Sequence, residues 1–281
     1  MSTAATPDRV PAKRSLAKAI SAFFFVVGAA LLKFKALAIL LLERFRLLIV
    51  NPFEGFGALQ YGVAAGSMAV TIAAYAMQPQ FSLGLIIGFV LVTLVHEIGH
   101  AIVIRAKGLR AGWMVFIPFV GGAVTIKDQV RTAYDDAQIG LAGPIAGTLA
   151  SLVALQIYKW TSHPVYLLIA FAGFVLNLIN LLPIGMLDGG RISGAVTKWM
   201  WVIGGTILTY KVIKQPNALL IAILILAVFQ VYASILREKQ DNFYEVTAPQ
   251  RAAIAVAYFS LVIFLGHQAF LTFDRLEALA R

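Results

Sequence analysis

The chain has 281 residues, of which 60% are hydrophobic and only 13% are charged. Soluble domains have roughly 45–50% apolar and 25% charged residues, so this composition excludes an ordinary water-soluble protein. The net charge of +10 does not indicate nucleic-acid binding, because the Lys and Arg residues flank apolar blocks instead of forming a basic patch with aromatic residues. Cysteine is absent, so any metal must be held by His and carboxylate side chains. We expect an integral, multi-pass protein of the lipid bilayer, with no nucleic-acid partner.

The first 57 residues are predicted to form a cytoplasmic tail and an interfacial or re-entrant helical region. Residues 1–16 are polar and basic, and no clear small-residue cleavage site follows them. The apolar stretch 19–42 is interrupted by Lys33 and Lys35. Each part is too short to cross a hydrocarbon core of roughly 30 Å, which favours a helical pair at the membrane surface.

Six apolar blocks follow, each long enough to cross the bilayer as a helix. The predicted fold class is therefore an all-α polytopic membrane protein of about six transmembrane helices. Its core is predicted over residues 58–273, and residues 274–281 form a second cytoplasmic tail. The predicted spans are residues 58–77, 81–104, 136–158, 165–186, 218–236 and 252–273.

Two of the segments between the spans have patterns of their own. Residues 115–120 and 123–126 are short strand-like runs on either side of a Gly pair, which predicts a small membrane-associated β-hairpin. Residues 191–215 mix Trp, Lys and Gly and predict an interfacial helix and a loop.

The distribution of positive charge predicts the orientation. With six spans and an internal N-terminus, 19 of the 23 Lys and Arg residues lie in cytoplasmic segments. Cytoplasmic loops carry an excess of Lys and Arg, so we expect both termini to lie in the cytoplasm.

Chemistry is indicated by two acidic side chains in apolar surroundings. Of the 13 acidic residues, only Glu97 lies well inside an apolar block, and Asp188 lies at the end of the fourth block. A carboxylate at such a depth is costly unless it is paired, binds a metal or faces a water-filled cavity. Both residues are therefore candidates for function.

Glu97 belongs to the sequence His96-Glu97-Ile98-Gly99-His100. Residues i and i+4 share one face of a helix, so both imidazoles can bind one metal while Glu97 acts on a metal-bound water. The alternative is that both histidines only donate to neighbouring carbonyl groups.

A catalytic zinc site usually has three protein ligands, so a third residue is needed. His163 is predicted in an external loop and His267 in the last span without a partner motif, and we interpret both as ordinary interfacial or packing residues. Asp188 fits better, because the second and fourth spans run parallel and both motifs lie near their cytoplasmic ends.

The residues before Asp188 predict a broken helix. Pro183 removes a backbone donor, and the Gly residues around Asp188 loosen the helix, which implies a polar chamber at membrane depth. Asn180 could offer its amide to a substrate carbonyl or a developing oxyanion, or it could form an interhelical hydrogen bond. For Asn177 the interhelical hydrogen bond is the favoured interpretation.

Together these motifs resemble the site-2 protease family of intramembrane zinc metalloproteases. His96 to His100 match that family's HExxH element, and Asn180 to Gly189 match its N-x-x-P-x-x-x-L-D-G element at every fixed position. Residues 142–147 are similar to a small-residue signature of the family, although close helix packing is the favoured explanation of the series Gly140, Gly143 and Gly147. The PDZ and CBS modules that many relatives carry cannot be fitted into the loops and tails, so the chain resembles a minimal form.

The resemblance implies one Zn²⁺ per chain, held by His96, His100 and Asp188. It implies that Glu97 is the general base toward a zinc-activated water and that Asn180 contacts the substrate. The substrate would be a membrane-spanning protein cut near the cytoplasmic side, and the location a prokaryotic cell membrane.

Two other functions remain as alternatives, a membrane metal transporter and a catalytically silent membrane scaffold. The transporter is disfavoured because a conduction path would need further metal-binding residues, and the chain has four histidines and no cysteine. The scaffold is disfavoured by the presence of Glu97. The predicted hairpin could hold an extended substrate by strand addition or could be a structural plug.

Overall fold

The structure is a computed structural model that describes residues 58–185, 187–215, 220–221, 223–225, 227–228, 231–232 and 243–281. The predicted tail and interfacial region, residues 1–57, lie outside the described residues. Only part of the predicted span 218–236 is described.

The described residues are mostly helical, with one antiparallel pair of strands between two of the helices. This confirms the predicted helical class and the hairpin. The elements in chain order are α1 (Ala58–Ala76), α2 (Leu83–Ala106), β1 (Ala111–Ile117), β2 (Gly121–Ile126), α3 (Ala133–Thr161), α4 (Pro164–Asn180), α5 (Asp188–Val196), α6 (Trp199–Lys214) and α7 (Ala248–Ala280).

Four of the long helices begin at a side chain that satisfies a free backbone N–H group. Ser82 caps α2, Thr132 caps α3 and His163 caps α4, and in each case the side chain accepts a hydrogen bond from the first turn. Thr247 and Gln250 form a reciprocal capping box at the start of α7.

Three helices among the described residues are long and apolar enough to cross a membrane, namely α2, α3 and α7. Helix α4 is apolar but has only 17 residues, because it ends at Asn180 and not at residue 186 as the apolar pattern predicted. The count of six spans is therefore not established. Helix α7 has 33 residues and continues to Ala280, beyond the predicted end of the core.

The hairpin is held together at both ends. Val115 pairs with Ala123 and Ile117 with Gly121, and the register shifts at a bulge between Ala111 and Met114. At the open end, Arg110 donates to both carboxylate oxygens of Asp128, through its side chain at 2.6 Å and its main chain at 2.6 Å. These hydrogen bonds hold the pKa of Asp128 below its usual range.

The break between α4 and α5 decides where Asp188 lies. Asp188 does not end the fourth span; it is the first residue of the separate helix α5. The predicted interfacial segment 191–215 consists of the rest of α5 and helix α6.

Glycine is required where α5 folds back on the linker that follows α4. A Cβ atom on Gly189 would lie 2.1 Å from the Leu181 carbonyl oxygen, and one on Gly190 would lie 2.3 Å from the Gly185 carbonyl oxygen. Gly185 itself has a φ of +40°, which side chains other than glycine rarely adopt. This close backbone contact brings the start of α5 back into the bundle.

Helix α7 supplies a hydrogen-bond donor to the broken backbone. The buried Tyr258 hydroxyl donates to the Leu181 carbonyl oxygen at 2.7 Å. Pro183, two residues later, prevents the helix from continuing, so this carbonyl depends on Tyr258 for a partner. Helix α7 therefore stabilises the linker that carries Asp188.

We expect Tyr258→Phe to lower the free energy of unfolding by about 1–3 kcal/mol, the cost of leaving a buried acceptor unpaired. The measurement is denaturant unfolding of the purified protein in detergent. Tyr210→Phe is the matched control, because Tyr210 is exposed on α6. Equal losses in the two variants would contradict the role of the Leu181 bond.

Candidate metal centre

Helix α2 presents two imidazoles on one buried face. His96 and His100 are 3% and 5% exposed, and their Nε2 atoms lie 3.1 Å apart. His96 lies thirteen residues after Leu83 and ten before Ala106, or about 20 Å and about 15 Å along the helix axis. The pair therefore lies in the middle part of an apolar helix, where bulk water cannot hydrogen-bond to a polar side chain.

Asp188 reaches the same point from α5. Its Oδ2 lies 3.2 Å from His96 Nε2, and its Oδ1 lies 3.2 Å from His100 Nε2. The structure thus brings together the three side chains that the sequence predicted as metal ligands. In the part of the chain that is described, this is the one group of three or more potential ligands.

The opposite ring nitrogens show which atoms carry protons. His100 Nδ1 lies 2.8 Å from the Ile139 carbonyl oxygen, and His96 Nδ1 lies 2.8 Å from Asn177 Oδ1. Both partners are acceptors, so each Nδ1 donates its hydrogen. In the neutral imidazoles, each Nε2 then carries a lone pair that points at Asp188.

This arrangement fits a bound cation. Two unprotonated nitrogens and a carboxylate cannot hydrogen-bond to one another, and Asp188 Oδ2 accordingly has no hydrogen-bond partner among the described residues although it is buried. Ligands placed about 2.0–2.1 Å from one tetrahedral metal lie about 3.3 Å from each other. The observed separations of 3.1–3.2 Å agree with that spacing.

Helix α3 leaves room for the centre by presenting glycine to it. A Cβ atom on Gly143 would lie 2.2 Å from His100 Nε2 and 2.7 Å from His96 Nε2. Gly140, one turn earlier, faces the Asp188 carbonyl oxygen, where a Cβ would lie at 3.1 Å. The small residues of α3 pack closely, as the sequence predicted, and what they pack against is the ligand set.

Arg191 connects α5 to α3 close to Asp188. Its guanidinium donates to Asp136 Oδ1 through Nε at 2.9 Å and through a terminal nitrogen at 2.6 Å. Both side chains are mostly buried, so the pair is better shielded from solvent than a surface ion pair. It holds the first turn of α5 in place against the start of α3.

Glu97 lies next to the centre without belonging to the ligand cluster. Its side chain is 3% exposed, and a Cβ on Gly122 would lie 2.6 Å from its Oε1 atom. Strand β2 therefore passes directly over the carboxylate, and only a glycine permits that approach. Within the described residues the carboxylate makes no hydrogen bond, which leaves it available to act on a substrate or a water molecule.

The other residues that the sequence singled out lie outside the cluster of candidate ligands. Asn180 ends α4, is partly exposed and makes no side-chain hydrogen bond within the described residues, so its predicted substrate contact stays a prediction. His163 accepts from the Val165 amide as the N-cap of α4, and His267 is exposed on α7. Neither belongs to the centre. The sequence suggested an interhelical bond for Asn177, but only the fold identifies its partner as a metal-ligand candidate.

A family match covers the part of the chain that carries His96, Glu97 and His100. Residues 84–161 match the model of peptidase family M50, which confirms the resemblance to the site-2 protease family. The matched segment contains α2 from its second residue, with His96, Glu97 and His100, and all of α3. Asp188 lies beyond it.

Several curated proteins are similar to part of the chain. A zinc metalloprotease of Methanocaldococcus jannaschii is 28% identical over 113 residues, which cover 38% of this chain and 32% of the relative. The "Probable zinc metalloprotease EGY2, chloroplastic" of Arabidopsis thaliana is 28% identical over 150 residues, covering 38% of this chain and 27% of the relative. The matched part thus spans about a third or less of these relatives.

We expect Gly143→Ala to lose most of its bound metal, because the added methyl group occupies the space beside both Nε2 atoms. The measurement is the metal content of the purified protein after equilibration with one equivalent of zinc. Gly266→Ala is the control, since a Cβ at that helical position meets nothing within 4 Å. Wild-type zinc content in Gly143→Ala would argue against a metal between the three ligands.

Proposed function

We propose that this chain, whose residues 84–161 match peptidase family M50, is an intramembrane zinc metalloprotease that cuts membrane-spanning segments of other proteins. The observation that carries the proposal is the convergence of three buried ligand atoms beside a free carboxylate, in the middle part of an apolar helix. Metal-dependent proteolysis at this depth requires water, a metal and a base inside the bundle, and we assign the metal-binding and base roles to described residues.

His96, His100 and Asp188 would hold one Zn²⁺ per chain. When bound, zinc polarises the scissile carbonyl and lowers the pKa of an attacking water from 15.7 to around 7. Two imidazoles and one carboxylate leave a fourth position for water or substrate, as in other catalytic zinc sites.

Glu97 is the proposed general base. Its carboxylate takes a proton from the water as the water oxygen forms a bond to the peptide carbon. It then gives that proton to the leaving nitrogen as the carbon–nitrogen bond breaks. Burial beside Gly122 separates the carboxylate from bulk solvent.

The hairpin supports a way to hold the substrate. A helical substrate hides its carbonyl groups in internal hydrogen bonds, so it must be extended before hydrolysis. On the outer edge of β1, the Phe116 amide donates to Ser67 Oγ of α1 at 3.1 Å, and at the turn the Phe119 amide donates to the Tyr75 hydroxyl at 3.2 Å. Helix α1 therefore occupies that side of the hairpin.

The other edge follows from the register. The Phe116 amide points away from β2, so Phe116 and Gly122 form a non-hydrogen-bonded pair. Gly122 and, two residues later, Val124 must then direct their amide and carbonyl groups outward from β2. An extended substrate that pairs with this edge would run past Glu97, which supports strand addition over the alternative of a plug.

Orientation and substrate contact complete the proposal. The excess of Lys and Arg in predicted internal segments supports two cytoplasmic termini and cleavage near the cytoplasmic side. We propose a prokaryotic cell membrane as the location. Asn180, partly exposed at the end of α4, is proposed to donate to the substrate carbonyl.

We expect Glu97→Gln to reduce cleavage by roughly 10²-fold or more, because the amide cannot accept the proton of water. Zinc content and folding should persist, since Glu97 is not a ligand. The measurement is mass spectrometry of the products formed from a panel of single-span membrane proteins. His96→Ala is the comparison variant, which should lose zinc and cleavage together.

The same experiment separates the alternatives. A transporter would show metal flux that depends on His96 and Asp188 but no new peptide termini. A scaffold would show no cleavage in the wild type. Equal fragments at equal rates from wild type and Glu97→Gln would assign the cleavage to another mechanism or a contaminant.

We expect Val124→Pro to raise KM several-fold, because it removes an outward amide from the β2 edge without breaking a bond between β1 and β2. Val124→Ala, which keeps the amide and shortens the side chain, is the matched control. The measurement is cleavage rate against substrate concentration in detergent, with zinc content as the test of an intact centre. An unchanged KM in Val124→Pro would favour the plug.

A further inference from the structure

We infer that Asn177 is a positioning residue for the metal centre, and that it sets which nitrogen of His96 faces the metal. This inference rests on the proposed zinc site. It concerns a residue outside the ligand set, and it predicts a change in metal affinity that can be measured without any cleavage assay.

The contact between the two side chains is short and fully enclosed. Asn177 Oδ1 on α4 lies 2.8 Å from His96 Nδ1 on α2, and Asn177 is 0% exposed. No water competes for either atom at that burial. The hydrogen bond therefore joins two helices at the point where one of them carries a ligand.

The orientation of the amide is determined by its other end. Asn177 Nδ2 lies 2.7 Å from the Gly173 carbonyl oxygen, one turn earlier on α4. A carbonyl can only accept, so the NH₂ group must face Gly173 and the oxygen must face His96. The oxygen then requires a hydrogen on His96 Nδ1, which leaves the lone pair on Nε2 directed at Asp188.

The surface of α3 holds the amide in that position. A Cβ atom on Gly147 would lie 2.3 Å from Asn177 Oδ1 and 2.6 Å from Nδ2, so the amide rests against bare backbone. One turn away the roles of the two helices are exchanged, and Ser151 of α3 packs against Gly173 of α4. A Cβ atom on Gly173 would lie 2.2 Å from the Ser151 hydroxyl oxygen. These two contacts interlock α3 with α4 and leave the amide little space to turn.

The two histidines are oriented by different means. His100 Nδ1 donates to the main-chain carbonyl of Ile139, which no side-chain substitution removes. His96 depends on a side chain, so its orientation can be tested directly. Partners of this kind commonly change metal affinity by about 10–100-fold when they are removed.

The test compares zinc affinity in Asn177→Leu and the wild type, using the full chain purified in detergent and a competing chelator. Leucine is similar in size to asparagine and suits a buried site, but it cannot accept the Nδ1 hydrogen. We expect zinc to bind about 10–100-fold more weakly, while the helical content of the zinc-free protein stays close to wild type and its thermal unfolding stays cooperative.

Asn177→Asp is the rescue variant, because it keeps an acceptor oxygen opposite His96 Nδ1. We expect its zinc affinity to lie within several-fold of wild type or above it. Asn180→Leu is the matched control, an amide lost three residues later on the same helix, where no ligand contact is made within the described residues. Its zinc affinity should equal that of the wild type.

Each outcome separates this inference from the proposed function. Wild-type affinity in Asn177→Leu would overturn the positioning role and leave the zinc site intact. Equal weakness in Asn177→Leu and Asn177→Asp would assign the effect to packing and would also overturn it. Absence of zinc binding by the wild-type chain would instead refute the metal centre, and the inference with it.

Discussion

The structure depends on the cost of placing polar atoms inside an apolar bundle. Two imidazoles and the Asp188 carboxylate meet at 3.1–3.2 Å with no hydrogen between their facing atoms. Such a group is unfavourable in low dielectric unless a cation occupies it. The Nδ1 hydrogens are committed to Asn177 and Ile139, so the facing nitrogens present lone pairs. The ligand set is thus defined as much by its hydrogen-bond acceptors as by the ligands themselves.

That centre determines the shapes of the helices around it. Helix α3 can approach α2 and α4 this closely only because glycine stands at Gly143, next to His100 of α2, and at Gly147, next to Asn177 of α4. Helix α4 must stop before the centre so that Asp188 can enter from a new helix. The linker that makes this possible leaves the Leu181 carbonyl without a helical partner, and Tyr258 of α7 donates to it. Packing, broken backbone and ligand geometry therefore depend on one another.

The two edges of the hairpin have different surroundings. Its β1 side is engaged by hydroxyl groups of α1, and its β2 strand passes over Glu97 at Gly122. In the proposed mechanism, an extended substrate would meet the base at that strand. The hairpin would then bind the substrate, and the helices would bind the metal. Substitution of Val124 tests the first role, and substitution of Asn177 tests the second.

The sequence by itself determined the class of fold, the hairpin and the three candidate ligands, because apolar block length and the i, i+4 spacing are local properties. It did not determine where Asp188 lies, since the apolar run continues past Asn180 while the backbone does not. It favoured an interhelical hydrogen bond for Asn177, but it did not identify the partner of that bond. Only the tertiary structure decided the partner, by bringing α2 and α3 against α4 so that Asn177 meets His96 and Gly147. Such contacts join residues tens of positions apart, and no local pattern records which partner a buried amide will find.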